Sequence, residues 1–468
     1  MTDGDAPTLP SAAERSVAGR EMRTAVPRAQ QAAWSASDAR TDPIAALRAT
    51  EADRLPELLG LRYGRMAASP FGFLRGAAGI MAADLATTPQ SGLRVQACGD
   101  AHIGNFRLLG TPERALNFDL NDFDETLPAP FEWDLKRLAA SAIVAGRHNG
   151  FSARECRNVA SKAAQSYHRH TKEYANQSAL DIWYSRIDSE TLESVLKREK
   201  IGRKQNRMLR KRMSRARDKS HQQALLRFTT VVDGHTRLRE DPPLIYHEPR
   251  DEEVVARVVD AYRQSLRHHL RVLFDRYELV DYAIRVGGVG SVGTRCWVAL
   301  FESHDGNADN SIILQMKQAG RSVLEPYAGA CRYANQGQRV VEGKRLLQAA
   351  GDILLGWTGA ENDGVGNTGI GGIDYYVRQL WDMKGRFDTE QMDADGMALF
   401  AELCGWTLAR AHARSGDPVA TLGYIGSGDS FDRAITDFAV AYADQTERDH
   451  ELLCRAIDRG ELPSDAVT

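Results

Sequence analysis

Residues 98–139 read CGDAHIGNFRLLGTPERALNFDLNDFDETLPAPFEWDLKRLA. Asp100, Asn105, Asp119, Asp122, Asp124 and Asp134 fall within 35 residues, several beside strand-forming apolar residues. Carboxylates at apolar strand ends are unfavourable unless a cation or a donor network meets them. Asp and Asn oxygens suit a hard Mg²⁺ ion, which keeps waters and takes one or two carboxylates together with phosphate oxygens. A turn-rich hairpin whose Asp and Asn side chains bond their own backbone would have the same composition.

Spacing favours the metal reading. Asp100 and Asn105 form D-x-x-x-x-N, the separation at which a phosphotransfer loop places an Asp on the hydroxyl nucleophile and an Asn on the metal. A hairpin-length interval leads to a second strand ending in Asn121-Asp122-Phe123-Asp124, and Asp122 stands where a second metal-binding Asp belongs. A helix opening on Asp134-Leu135 follows.

Working outward, LRVQA (93–97) predicts a short strand with Leu93, Val95 and Ala97 on one face. Upstream, Leu47, Leu55, Leu58, Leu59 and Leu61 run into RYGRMAASPFGFLRG, broken at Ser69-Pro70, with a second helix over 76–86. Residues 1–45 have weak periodicity and read as a loosely ordered arm. Downstream, 134–148 and 153–175 are helical. Residues 251–275 predict a helix capped by Asp251, with Val254, Val255, Val258, Tyr262, Leu266 and Leu270 in one stripe. The pattern turns to strands at Asp281: YAIRV, CWVALFE and SIILQMKQ, the last two joined through HDGNADN. A helix QRVVEGKRLLQAA, strand candidates DILLGW and DYYVRQL, and helices near 391–414 and 431–457 complete the chain. The expected units are an arm (1–45), a helical lobe bearing the acidic strands (46–280), a β-rich lobe (281–385) and C-terminal helices packing back on the helical lobe (386–468).

The 468 residues are 43% hydrophobic and 26% charged with a formal charge of −3, the balance of a globular chain rather than a globally basic nucleic-acid binder. No apolar run approaches the length of a membrane span, and the first residues lack the basic and apolar regions of a signal peptide. Cys98, Cys156, Cys296, Cys331, Cys404 and Cys454 form no C-x-x-C pair, so neither a zinc ribbon nor a disulfide scaffold is expected. The expected compartment is the cytoplasm.

Gly288-Val289-Gly290-Ser291-Val292-Gly293 is a G-x-G-x-x-G. A dinucleotide fingerprint would be followed by a helix. Here β-prone TRCWVALFE follows, an order that suits a flap closing over phosphates, although a plain hairpin has the same signature. No G-x-x-x-x-G-K-[ST] is present. Gly288, Gly290, Ser291 and Gly293 would cradle phosphates, and Lys317 in the next strand would contact them. Glu342 on the following helix is the expected partner of Lys317, with Glu325 the alternative.

Residues 197–219 carry twelve Lys/Arg against two acids. Without interleaved aromatics this is read as a solvated helix, or one folded over the acidic lobe, more than as a nucleic-acid surface. His168, His170, His268 and His269 lack zinc-site spacing. Arg62, Arg65 and Arg75 are candidates for an anion or for structural ion pairs.

The stretches RYGRMAASPFGFLRG, GDAHIGNF, NDFDET, PFEWDLKRLAAS, GVGSVGTRCW, RVVEGKRLLQA, YYVRQLWDMKG and YADQTERD together resemble the bacterial domain of unknown function 2252 family, from about Arg62 to Asp449. More distantly, GDAHIGNF, the Asp122 region and WDLKRLA resemble the aminoglycoside phosphotransferase pattern, with Cys98 replacing the His before Gly-Asp. That resemblance implies Asp100 as catalytic base, Asn105 and Asp122 as Mg²⁺ ligands, Asp134 as a structural carboxylate, and His102 as a residue positioning the catalytic loop. Asp100 precedes Gly288 by 188 residues, the reverse of kinase order, so the implied fold is an α+β, two-lobe protein kinase-like fold in circularly permuted form. MALFAELCGWTLARAHARSGD (397–417) resembles the helix that leads into a kinase catalytic loop and should pack beside the Asp100 strand.

The implied activity is ATP- and Mg²⁺-dependent phosphoryl transfer to a hydroxyl-bearing acceptor, with main chain near 378–385 facing the adenine. Nucleotide binding without transfer and transfer of AMP are the alternatives.

Overall fold

Alternation in RVQA places Val95 and Ala97 on the buried face of strand β1 (Arg94–Ala97). The computed structural model describes residues 10–198, 203–218, 221–242, 244–248, 252–286, 292–305, 310–359, 373–380 and 383–465. The further strands are β2 (Phe106–Gly110), β3 (Leu116–Leu120), β4 (Leu127–Pro130), β5 (Thr229–Val232), β6 (His235–Leu238), β7 (Ile245–Tyr246), β8 (Tyr277–Arg285), β9 (Cys296–Ser303), β10 (Ile312–Gln318), β11 (Gly356–Thr358), β12 (Tyr375–Gln379) and β13 (Gly385–Arg386). Among the described residues they pair antiparallel as β1–β4, β13–β2–β3, β5–β6 and a six-stranded sheet ordered β11–β12–β10–β9–β8–β7. Helices gather around these sheets rather than alternating as βαβ units, an α+β arrangement.

The helix Phe131–His148 is buried along nearly its whole length by the helices Ala153–Tyr174, Ala394–Ser415 and Ser430–Asp458. Two of these approach so closely that a Cβ on Gly405 would lie 2.2 Å from the Ala163 carbonyl oxygen. The C-terminal helices thus complete the core around β1 to β4. In the six-stranded sheet one face is covered by Tyr262 and Phe274, against Phe301, Ile312 and Leu314. The opposite face puts Ile313, Val298 and Leu300 under Leu225 and Phe228 of the helix His221–Phe228. Strand alternation places Lys317 on this second face, beyond Ile313 and Gln315.

Four expectations change. Part of the N-terminal arm is a helix, Ala12–Ala25, closed by a Ser11–Glu14 capping box. Its weak periodicity reflects packing by small groups and carbonyls: Gly19 lies against Ala420, and Arg23 donates to the carbonyls of Gly423 and Tyr424. The large β sheet does not begin at 281, because β7 pairs with β8, whose first residue is Tyr277. It also ends before 385, since Gly385–Arg386 pair with β2. Finally, the helix expected over 251–275 is two helices, Glu252–Ser265 and His268–Phe274, separated where Arg267 is extended. Asp251 lies outside the described residues.

Within the basic segment, the helix Arg203–Asp218 packs along β13 and β2 and buries Met213 and Ala216 in the main core. Among the described residues no helix is long and apolar enough to cross a membrane.

Candidate functional site

The loop after β1 is fixed from below. Asp134, in the first turn of Phe131–His148, accepts the backbone N–H of Cys98 (2.6 Å) and of Gly99 (2.9 Å). Its Oδ2 also lies 3.2 Å from His412 Nε2, and His412 Nδ1 lies 2.9 Å from the Tyr167 hydroxyl. Ser415 Oγ of the same C-terminal helix accepts the Gln96 N–H. Gly99 has φ +82°, and a Cβ there would lie 2.3 Å from the Glu125 carbonyl oxygen. Only glycine allows the two acidic loops to touch at this point.

Asp100 projects from that loop with its side chain 22% exposed, and its Oδ1 accepts from Arg137 Nε at 2.5 Å. Burial pushes its carboxyl above the ordinary value, while Arg137 acts in the opposite direction. His102 Nδ1 accepts the Gly104 N–H, which leaves the proton on Nε2, 3.9 Å from Asp100 Oδ2. Burial, reinforced by Arg75 and Arg137, holds this imidazole well below its usual pKa, so it is neutral. Asn105 joins the two loops. Its Nδ2 donates to the carbonyls of Asp100 (2.9 Å) and Asp122 (3.0 Å), and its Oδ1 accepts the Asp122 N–H (2.8 Å).

Lys317 reaches this pair of loops from β10. It is 5% exposed, its Nζ is bonded to Asp124 Oδ2, and it lies 3.8 Å from Asp122 Oδ1. Burial tends to raise the Asp122 carboxyl, but Lys317, Arg378 and Lys384 outweigh it and keep the group below the carboxylate range. Asp124 is displaced upward by burial and by the Asp122 charge. The expected pairing of Lys317 with a helix glutamate is corrected: Glu342 bonds Arg345, and Glu325 bonds Arg321 and the Cys331 N–H. Both carboxylates find cations within a few residues, whereas Lys317 faces the acidic loop across the cleft.

The helix Gln336–Leu347 serves that loop in another way. Arg339 donates to the carbonyls of Asp124, Thr126 and Gly320. Gln348 bonds the Leu120 carbonyl, and Ala349 N–H meets Asp119 Oδ2. Asp119 itself is a buried partner of Arg410 and does not face the cleft.

Gly288, Gly290 and Ser291 lie outside the described residues. Gly293 is described: it has φ +87°, and its carbonyl accepts the Leu55 N–H. Of 378–385, Arg378 donates to Gln315 Oε1 and Gln379 N–H to Asp352, while residues 381 and 382 lie outside the described set. Arg62 is buried beside the Tyr63 ring and the Gly76 carbonyl, away from the loops, whereas Arg75 lies over Phe71 and interacts electrostatically with Asp100 and Asp122.

Among the described residues no group of three or more His, Cys, Asp or Glu side chains is arranged for a metal ion. A Mg²⁺ ion that completes its shell with phosphate and water needs fewer. Asp124 Oδ1 is buried without a hydrogen-bond partner, close to Asp122, so these two carboxylates fit such an ion. The carboxamide of Asn105 is already engaged with backbone on both of its sides. The side chains of Arg137, Arg339, Arg378 and Lys384 carry no signal in the sequence, where Arg137 follows Lys136 in an ordinary helical stretch and the others stand in no motif of their own.

A family model described as an uncharacterized protein conserved in bacteria matches residues 54–456. No curated protein and no solved structure matches the chain.

Proposed function

Because the chain belongs to the DUF2252 family of bacterial proteins, we propose on the chemistry of the site alone that it is an ATP- and Mg²⁺-dependent phosphotransferase with a permuted, two-lobe kinase-like architecture. The observation that carries this reading is the meeting of Lys317 with Asp122 and Asp124, on a loop that Asn105 ties to Asp100. A phosphate-binding lysine, two metal-binding carboxylates and a hydroxyl-orienting carboxylate are the parts that phosphoryl transfer needs. The permuted order is supported by the helix Ala394–Ser415, which braces the Asp100 loop through His412 and Ser415 although it lies far downstream of that loop in the chain.

Mg-ATP would supply the transferable phosphoryl group and neutralise its charge. Asp122 and Asp124 would hold the ion, and Lys317 would exchange Asp124 for phosphate oxygens. Asp100 Oδ2, the oxygen not bonded by Arg137 Nε, would orient the acceptor hydroxyl and take its proton, a role that its raised pKa suits. Neutral His102 would keep the loop in shape through Gly104. Positioning and electrostatics carry the rate.

The ion pair between Asp100 and Arg137 favours a second reading, nucleotide binding without transfer. Incubation with γ- and α-labelled ATP, with an extract of small hydroxyl compounds as acceptor, separates the cases. Phosphotransfer moves the γ label and is lost in Asp100→Asn, which still binds ATP. Transfer of AMP moves the α label. Binding with no transfer of either label supports the second reading.

A further inference from the structure

Elsewhere in the molecule, several buried guanidinium groups meet carboxylates or carbonyls, although Arg62 keeps two nitrogens without a partner. Arg40 meets Asp84 and Asp449, Arg410 meets Asp119, and Arg339 meets three carbonyls and Gln336. Beyond Asp122 the pattern changes. Lys344, on the helix Gln336–Leu347, is 8% exposed, and among the described residues its ammonium has no hydrogen-bond or ion-pair partner. It lines a cleft with Arg378 of β12, Lys384 before β13, Asn121 and Asp352. Lys384 is likewise unpartnered among the described residues, and Arg378 donates only to the amide oxygen of Gln315.

The one carboxylate of this lining is already engaged. Asp352 Oδ1 accepts from Leu354 N–H and Gln379 Nε2, and Oδ2 accepts from Gln379 N–H. Close by, Arg107 on β2 stands directly opposite Arg386 on β13, a cross-strand pair of like charges that is unfavourable by itself. Arg107 Nε is buried with no partner. Burial and the neighbouring cations push the Lys344 ammonium down to about 8 and hold Lys384 well below the lysine range. Asp122 acts on Lys344, Arg378 and Lys384, and Asp352 on Lys344, but desolvated cations in excess of their counter-charges are stabilised when a further anion joins them.

We propose that this cleft is a phosphate subsite formed by Lys344, Arg378 and Lys384, with Arg107 contributing from β2. Three cations around one opening match a multiply charged group, and the Arg378 guanidinium supplies the planar donors that phosphate oxygens accept. On the phosphotransferase reading, the group that fills it belongs to the acceptor, which is then a phosphorylated compound. The subsite itself does not depend on that reading.

The test is thermal unfolding of the full chain with millimolar inorganic phosphate, against potassium chloride of equal ionic strength, with and without saturating Mg-ATP. The expected result is a phosphate-specific rise in unfolding temperature that persists in Mg-ATP. Lys344→Met should weaken it by about tenfold in apparent affinity, the size of one charge-assisted contact. Lys344→Met replaces an unpaired buried cation with an apolar chain of similar length, so it should melt no lower than the wild type. Lys384→Gln, on the cleft's other wall, should show the same loss of response.

Equal responses of wild type and both variants, or an equal effect of chloride, would overturn the subsite. Mutual exclusion of phosphate and Mg-ATP would also overturn it, by assigning these cations to the donor. A phosphate response lost in the variants, with no response to Mg-ATP, would uphold the subsite and remove the phosphotransferase reading.

Discussion

Asp134 Oδ2 and His412 Nε2 lie 3.2 Å apart, joining side chains 278 positions distant in the chain. Both are buried. The carboxylate that holds the turn before Asp100 is therefore itself held by the C-terminal part of the protein, so the geometry of the Asp100 loop depends on residues far apart in the sequence.

Replacing Asp134 with Ala would leave the N–H groups of Cys98 and Gly99 without their acceptor. Two buried bonds to a charged group make this a loss of about 3 kcal/mol. Urea unfolding should show it as a lower midpoint with an unchanged slope. His412→Gln, which keeps a donor, should cost about 1 kcal/mol. A wild-type midpoint for Asp134→Ala would show that the brace does not hold the loop.

Lys317→Met leaves Asp122 and Asp124 facing each other without their cation. The expected cost near neutral pH is about 3 kcal/mol, together with weaker nucleotide binding. Acid should relieve it, because both carboxyl groups then gain from protonation. The stability gap between variant and wild type, measured by denaturant titration, should be smaller at pH 5 than at pH 8. A constant gap would argue that Lys317 acts through packing alone.

Glu125 offers a second pH signature. Burial raises its carboxyl to about 7, although the Val323 N–H it accepts acts in the opposite direction. The folded chain then binds this proton more tightly than the unfolded chain, so stability falls as pH rises from the ordinary glutamate value of about 4.5 towards 7. Glu125→Gln keeps an acceptor for Val323 and removes the titration. Its unfolding temperature should gain on the wild type across that window and stay ahead above it, whereas parallel curves would count against the assignment.

Gly405→Ala tests the packing that brings the C-terminal helix to the site. The new methyl group would meet the backbone oxygen of Ala163, which cannot swing away. Overpacking of this kind costs about 1–3 kcal/mol, read as a lower urea midpoint. Thr407→Ser, two residues along, should cost less.

Much of this arrangement is legible in the chain because it is local. The period of two in the strands around Val298 and Leu314, and the 3.6 period around Val340 and Leu347, state their own structure. The D-x-x-x-x-N spacing, Asp122 and Lys317 are readable for the same reason, and the structure brings all of them to one cleft. Pairings across long separations are not. Nothing near Lys317 in sequence indicates that Asp124 rather than Glu342 is its partner, because the choice is made by how the sheet lies over the acidic loop. The pairing of Gly385–Arg386 with β2 is two residues long and has no pattern to detect. The helix Ala12–Ala25 owes its place to Gly19 and Arg23 meeting distant backbone. Arg107, Lys344, Arg378 and Lys384 become a cluster only in three dimensions.

The most direct test of the central claim is a thermal unfolding scan with and without Mg-ATP, run beside Asp122→Ala. A ligand at about 100 times its Kd adds about 2.7 kcal/mol to the folded state, enough to move the transition. The account predicts a rise in unfolding temperature that requires Mg²⁺ and disappears in Asp122→Ala. No shift at millimolar Mg-ATP, or an equal shift in the variant, would contradict it.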